Sequence, residues 1–262
     1  MKFIVSSGNL QKSLQRISGI ISTNNVLPIL ENFLFRLEGS SLTLVSTDLE
    51  TMMKVGMEVQ AKESGSICIQ AKVLLDYLKN LPEQPITFDI NLKDFGIDIT
   101  SEQGKYKIVG EDPKSFPSEP QADDTTPFTM SAAELSDGIG KTIIAVSTDD
   151  LRPTMSGVYF ELGKEALTLV ATDAHRLVRC IKTDVHAQQQ DAFIVPRKAL
   201  NQLKNNLNHS TEVTLSYNKN HLFVESQDLR LSCRLIDGDR KSTTSELQSH
   251  SFISYAVFCL KK

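Results

Sequence analysis

The sequence has no tryptophan, five tyrosines and twelve phenylalanines, so aromatic residues make up only 6% of it. Its four cysteines, Cys68, Cys180, Cys233 and Cys259, are far apart and form no CxxC pair. A zinc site or a dithiol redox motif therefore has no support, and the cysteines read as small buried residues. Long apolar runs are missing as well: the longest, 252–260, falls short of the roughly 20 residues a membrane span needs. The opening MKFIVSSGN turns polar after three apolar residues, too few for a secretory leader, which predicts a cytoplasmic protein. Acidic residues are absent from 1–30, where Lys2, Lys12 and Arg16 lie, and from 192–211, where Arg197, Lys198 and Lys204 lie.

That local scarcity matters because the whole chain is mildly acidic, with a net charge of −4 over 262 residues. Such a balance excludes a surface coated with phosphate-binding cations but leaves room for one basic face. Both acid-free tracts carry helical patterns, so their cations would stand on helix faces, the footprint of sparse phosphate contact. A solvated helix face is the plain alternative reading of the same charges.

What the chain does have is a repeat. Residues 42–48 read LTLVSTD and residues 167–173 read LTLVATD, and the offset of 125 pairs Phe3 with Phe128, Leu10 with Leu135, Pro28 with Pro153, Phe35 with Phe160, Leu75 with Leu200, Lys79 with Lys204 and Lys105 with Arg230. A constant offset of domain size means two copies of one domain, not a short-period solenoid.

Each copy reads strand, helix, strands, helix, strands. In the first, Phe3 and Val5 face one side of an opening strand, Ser6 and Ser7 are cap candidates, and Leu10, Leu14, Ile17 and Ile21 make a helical stripe. Pro28 is expected to reopen the chain into extended structure, and 33–37 with 42–46 form a hairpin around a glycine-containing loop. Strands follow at 51–60 and 66–70, then a helix over 71–80 burying Val73, Leu74, Leu75 and Leu78, then strands at 86–90, 95–100 and 105–109. The second copy predicts helices over about 132–147 and 197–207, the latter with Leu200, Leu203 and Leu207 buried. Each domain is thus α+β with antiparallel sheet. Between the copies, 111–128 holds four prolines and five acids and reads as a linker. The division expected is domain one at 1–118, linker 119–127, domain two at 128–240 and a distinct tail at 241–262.

The segments MKFIV, LPILENFLF, LTLVSTDLE, LRPTMSGVYFE, LTLVATDAHRL, IVPRKAL and LSCRLIDG together resemble the bacterial DNA polymerase III beta subunit family, the sliding clamps, from residue 1 to about 238. The resemblance implies tandem clamp domains with sheets on the outside of a ring and two helices per domain toward duplex DNA. It implies a processivity factor that tethers DNA polymerase III without base-specific contacts, has no catalytic residues, and needs no cofactor or metal. It places Lys12, Arg16, Asn24, Lys72, Arg152, Arg197, Lys198 and Lys204 on the DNA-facing side. Where many family members carry a basic residue before LPIL, this chain has Asn24 and Asn25, which would weaken contact there.

The family's pocket for short hydrophobic peptides of polymerases and the clamp loader falls on Met155, Thr172, Ala174, His175, Arg176 and Leu177. The family has glycine where Ala174 stands, a change that matters if that backbone needs positive φ. Read as an acid and base pair, Asp173 and His175 lack an accompanying Ser or Cys nucleophile. After RLIDG the family continues through Phe-Pro or Tyr-Pro into a third domain and closes as a homodimeric ring, whereas this chain reads DRKSTTSELQSHSFISYAVFCLKK. The departure carries a second reading, a clamp-derived peptide-binding module unable to close a ring and mainly monomeric.

Overall fold

The computed structural model describes residues 1–22, 27–149, 151–183, 185, 190–209 and 211–238. Asn24, Cys259 and the tail over 241–262 lie outside the described residues. Contacts divide the chain into two units, Met1–Pro120 with Asp228–Leu231, and Gln121–Gln227 with the chain from Ser232.

In the first unit, β1 (Lys2–Ser6) leads into α1 (Ser7–Ser18), followed by β2 (Asn32–Glu38), β3 (Ser41–Thr47), β4 (Thr51–Glu58), β5 (Gln60–Ala61) and β6 (Gly65–Gln70). Helix α2 (Ala71–Lys79) and strands β7 (Pro85–Asn91), β8 (Gly96–Ser101) and β9 (Gly104–Val109) complete it. One antiparallel sheet runs β5-β1-β7-β8-β9, and a second contains β4-β3-β2-β6. Helices α1 and α2 pack on each other. Leu10, Leu14 and Ile17 on α1, and Leu74 and Leu78 on α2, are buried beneath them, with Phe3 stacked on Phe88 at 4.8 Å.

The second copy of the repeat follows the same order as β10 (Thr126–Ser131), α3 (Ala132–Thr142), β11 (Gly157–Leu162), β12 (Leu167–Thr172), β13 (Leu177–Lys182), β14 (Asp191–Pro196), α4 (Arg197–Asn206), β15 (Glu212–Tyr217), β16 (His221–Glu225) and β17 (Leu229–Arg234). Its sheets contain β10-β15-β16-β17 and β13-β12-β11-β14. Shifted by 125, β9 falls on β17 residue for residue, and every other element of the first unit longer than the two-residue β5 and the 3-10 turns falls within one or two residues of its counterpart. The repeat in sequence is a repeat in structure, built from antiparallel sheets with a helix pair in each copy.

Several sequence expectations need correction. The buried residue after Ile17 is Ile20, not the half-buried Ile21, because α1 stops at Ser18 and Gly19 caps it, which ends the helical period. Ser6 is the cap, its hydroxyl accepting from Asn9 N, whereas Ser7 is already helical and its hydroxyl donates to Pro82 O at 2.9 Å. Val73 and Leu75 are only half-buried, since α2 turns Ala71, Leu74 and Leu78 inward. Pro28–Glu31 is a 3-10 turn before the strand begins at Asn32, a use of proline at the first helical position. Helix α3 ends at Thr142 and tightens into a 3-10 turn over Ile143–Ala145.

The acidic, proline-rich stretch is not all linker. Glu111 exchanges two backbone bonds with Cys68 at 3.1 and 2.9 Å, a 3-10 turn follows at Pro113–Ser115, and Phe116 is buried with Leu30, Val45, Met52 and Cys68. Glu119 pairs with Lys54. Composition marked this stretch as polar, but one aromatic ring and one carboxylate suffice to strap it onto the first unit.

Candidate functional site

The expected site residues fall on two kinds of surface, helix faces and one end of a sheet. On α1, Lys12 is exposed and Arg16 is half-buried, its Nη1 2.5 Å from Asp228 Oδ2. The guanidinium holds the Asp228 carboxyl below the usual carboxylate range, so Arg16 is already engaged. On α2, Lys72 is exposed in the first turn and Lys79 in the last. On α4, Arg197, Lys198 and Lys204 are all exposed. Arg152 is exposed beside Asp149 at 3.6 Å.

Three of these cations, Lys72, Arg197 and Lys198, sit in the first turn, where they disfavour their own helix. Arg197 and Lys198 open α4, whose cap, Pro196, makes no side-chain bond to the first turn. Positive charge at a helix N-terminus opposes the macrodipole, typically by about 0.3–1 kcal/mol each. The same arrangement raises the positive potential at the helix N-terminus, whose dipole already favours an anion.

Helix α3 differs from the other three. Its face presents Glu134 and Asp137, and the buried amine of Lys182 on β13 donates to both, at 2.5 and 2.6 Å. Lys141, one turn on, donates to Asp137 at 2.7 Å. Bonds from Lys141 first and Lys182 second hold the Asp137 carboxyl below its ordinary range. For Lys182, desolvation opposes the charged form, but the two carboxylates outweigh it and the amine is pushed up. Sequence reading missed this cluster; the Asp137 and Lys141 spacing of four was its visible trace.

At the sheet end, Thr172 closes β12 opposite Leu177, the first residue of β13. Between them, Thr172 Oγ1 donates to Arg176 O at 2.8 Å and accepts from Ala174 N at 3.2 Å. Asp173 Oδ1 accepts from His175 N at 3.1 Å and Arg176 N at 3.0 Å, and Arg176 Nε donates to Asp173 Oδ2 at 2.9 Å. The bond from the Arg176 amide, with those from His175 N and the Arg176 side chain, holds the Asp173 carboxyl below its usual range. Its partners are those that fold the turn; the acid and base pairing with the His175 ring has no contact behind it.

Antiparallel pairing brings further residues to the same end. Strand β11 runs opposite β12, so Met155, in the 3-10 turn Pro153–Met155 just before β11, lies at the Thr172 end. Gly157 pairs with Pro196, the last residue of β14, and Arg197 N donates to Ser156 O at 3.2 Å, which puts the start of α4 there too. A Cβ on Gly157 would sit 2.5 Å from the Val195 carbonyl oxygen, so only glycine permits this close approach. Met155 is buried, and Leu177 is exposed, beside Ala174, His175 and Arg176. Met155, Thr172, Ala174, His175, Arg176, Leu177 and Arg197 thus share one sheet end, while Lys204 is about two helical turns further along α4.

A cleft of about 580 Å³ in the first unit, between α2 and the β8–β9 hairpin, was not anticipated. Tyr77 and Tyr106 line it, stacked at 4.5 Å. Among the described residues no group of three His, Cys, Asp or Glu side chains could hold a metal ion, and no helix is long and apolar enough to cross a membrane.

The family model for the DNA polymerase III beta subunit N-terminal domain matches residues 1–120, and that for its central domain matches residues 129–240. A beta sliding clamp from Halalkalibacterium halodurans is 29% identical over 98% of this chain and 70% of its own length. That of Proteus mirabilis is 30% identical over 91% of this chain and 65% of its own length. Among solved structures, the sliding clamp of Pseudomonas aeruginosa bound to griselimycin superposes with a TM-score of 0.86 at 26% identity, covering 91% of this chain and 65% of that one. The Bacillus subtilis clamp gives 0.87 at 23% identity, covering 95% and 68%. The chain spans about two thirds of the length of these proteins.

Proposed function

The chain belongs to the DNA polymerase III beta subunit family, and on that footing we propose that it is a sliding-clamp subunit that tethers DNA polymerase III to duplex DNA without reading bases. Its partners would be double-stranded DNA, the polymerase catalytic subunit, the clamp loader and other clamp-binding replication and repair proteins, in the cytoplasm. The two units correspond to clamp domains at 1–118 and 128–240, and the chain carries no catalysis of its own. Assembly into a homodimeric ring is the family's arrangement.

The observation that carries this reading is the helix pair in each repeat, with exposed cations on α1, α2 and α4. A clamp must hold DNA and still move on it, which calls for few phosphate contacts and no base-specific ones. On this reading Lys12, Lys72, Arg197, Lys198 and Lys204 face the duplex. Arg152 lies on a neighbouring loop, and Arg16 contributes less because of Asp228.

The sheet end with Met155, Leu177 and the 172–176 turn supports a second role, docking short hydrophobic peptides. Leu177 supplies an exposed apolar contact beside the polar groups of His175 and Arg176. The test is primer extension by DNA polymerase III and clamp loader on a singly primed circle. The clamp reading expects product length to rise with this chain and a clamp-binding peptide to suppress the rise; no change in length on adding the chain would contradict it.

A further inference from the structure

The two repeats carry the charge of their first helices differently. Shifted by 125, Asn9, Lys12 and Arg16 on α1 become Glu134, Asp137 and Lys141 on α3, and Met57 on β4 becomes Lys182 on β13. Where the first copy has a cation on the helix face, the second has a carboxylate. Where the first has a thioether in the strand, the second has an amine. That amine is held in place: Lys182 is 9% exposed and donates to Glu134 and Asp137, which are 46% and 42% exposed. Its stem passes α3 at Gly138, where an added Cβ would lie 3.5 Å from Lys182 Cε and collide with Leu169.

Stability alone does not account for the exchange, because a buried ion pair gains little over an apolar side chain at the same place. What the amine changes is the field on the outer face of α3. Glu134, Asp137 and Lys141 leave a net charge of −1 there, and Lys182 cancels it. The face matters because a cation of α4 reaches across it: a Cβ built on Gly140 would lie 3.6 Å from Lys204 Nζ, so that ammonium stands over α3 about one turn from Asp137. A carboxylate without Lys182 would draw the ammonium to itself, as Asp228 draws Arg16.

We propose that Lys182 is a positioning residue for duplex binding: it keeps the Glu134 and Asp137 carboxylates engaged and thereby leaves the Lys204 ammonium to phosphate. The inference rests on the clamp reading, in which α3 and α4 face the duplex. Lys182 is too buried to meet phosphate itself and acts through the two carboxylates, with Lys141 sharing Asp137. In the first copy Lys12 stands where Asp137 would be, so Met57 has nothing to neutralise.

The experiment titrates the full chain into a fluorescent duplex, followed by anisotropy, at about 50 mM and about 200 mM salt. Lys182→Met is expected to bind at least about threefold more weakly at the lower salt, the gap narrowing at the higher one as the exposed carboxylates are screened. Lys204→Ala should weaken the wild-type chain clearly and the Lys182→Met chain much less, because Asp137 already holds the ammonium there. Adding Glu134→Gln and Asp137→Asn to Lys182→Met should restore both the affinity and the Lys204→Ala effect, and Lys182→Arg should bind like the wild type. Equal affinity of the wild type and Lys182→Met overturns the proposal. So does a loss that neither narrows with salt nor responds to the amide pair, since that marks damage to packing. If Lys182→Met does not fold, Glu134→Gln with Asp137→Asn in the otherwise wild-type chain decides: tighter binding is expected, and unchanged affinity overturns the proposal. Salt-dependent binding by the wild type that is indifferent to these changes strikes the proposal alone, whereas absence of any duplex binding strikes the clamp reading and the proposal with it.

Discussion

Leu49 and Ala174 stand 125 residues apart and both hold a left-handed backbone, with φ of 77° and 74°. The turns around them are the same device. Thr47 Oγ1 donates to Thr51 O and accepts from Leu49 N, as Thr172 Oγ1 does with Arg176 O and Ala174 N. Asp48 Oδ1 accepts from Glu50 N and Thr51 N, as Asp173 Oδ1 does from His175 N and Arg176 N. The Thr-Asp pair is therefore a turn former in both repeats, and only the residues it carries outward, His175, Arg176 and Leu177, are particular to the second.

A left-handed L-residue costs roughly 1–2 kcal/mol, offset in part by the extra entropy glycine loses on folding. Ala174→Gly is expected to stabilise the chain by up to about 1 kcal/mol, read as a rise in the urea midpoint. Thr172→Val should lower it by about 1–2 kcal/mol, since two local bonds are lost.

Phe116→Ala should destabilise the first unit by about 3 kcal/mol, the usual size for emptying an aromatic site in a core. Glu119→Ala, which removes only the Lys54 pairing, should cost under about 1 kcal/mol. Equal effects from the two substitutions in a denaturation series would contradict the strap as described.

Lys182 has a raised folded-state pKa, so its contribution is full below the unfolded lysine value and is lost as pH rises through the folded one. Asp137 has a depressed one, so its contribution is present above the unfolded carboxylate value and is lost as pH falls through the folded one. The cluster is then intact from about pH 4 to about pH 10. Lys182→Met should lower stability by about 1 kcal/mol at pH 7 and by progressively less as pH falls below the ordinary carboxylate range. A pH-independent difference would show that Lys182 acts through packing alone.

For the peptide site, Leu177→Asp should weaken a short hydrophobic clamp-binding peptide by at least about 2 kcal/mol, the scale of a lost hot-spot contact. Calorimetry on Leu177→Asp and, as a surface control, Lys107→Ala separates this from general damage.

Much of this was legible in the residues. The 125-residue register carried the element order, and the alternation of Phe3 and Val5 and the stripe of Leu10, Leu14 and Ile17 fixed which faces are buried. What escaped depends on contacts distant in sequence. No local pattern tells that Asp228 engages Arg16, that Lys182 reaches Glu134 and Asp137 on α3, or that Phe116 leaves a polar stretch to enter a core. Ile20 in place of Ile21 was lost to a helix end, where periodicity stops being informative. The left-handed Ala174 was visible only as a condition, because alanine itself gives no hint of positive φ.

The central claim, phosphate contact through the helix faces, is tested most directly by duplex affinity as a function of salt. Weak binding is expected, equal for unrelated duplexes, with log affinity falling linearly in log salt concentration. Arg197→Ala and Lys198→Ala should each reduce that slope by about 0.9, and Arg16→Ala by less because Asp228 already holds it. A tenfold preference among duplex sequences, or slopes unchanged in Arg197→Ala and Lys198→Ala, would contradict it.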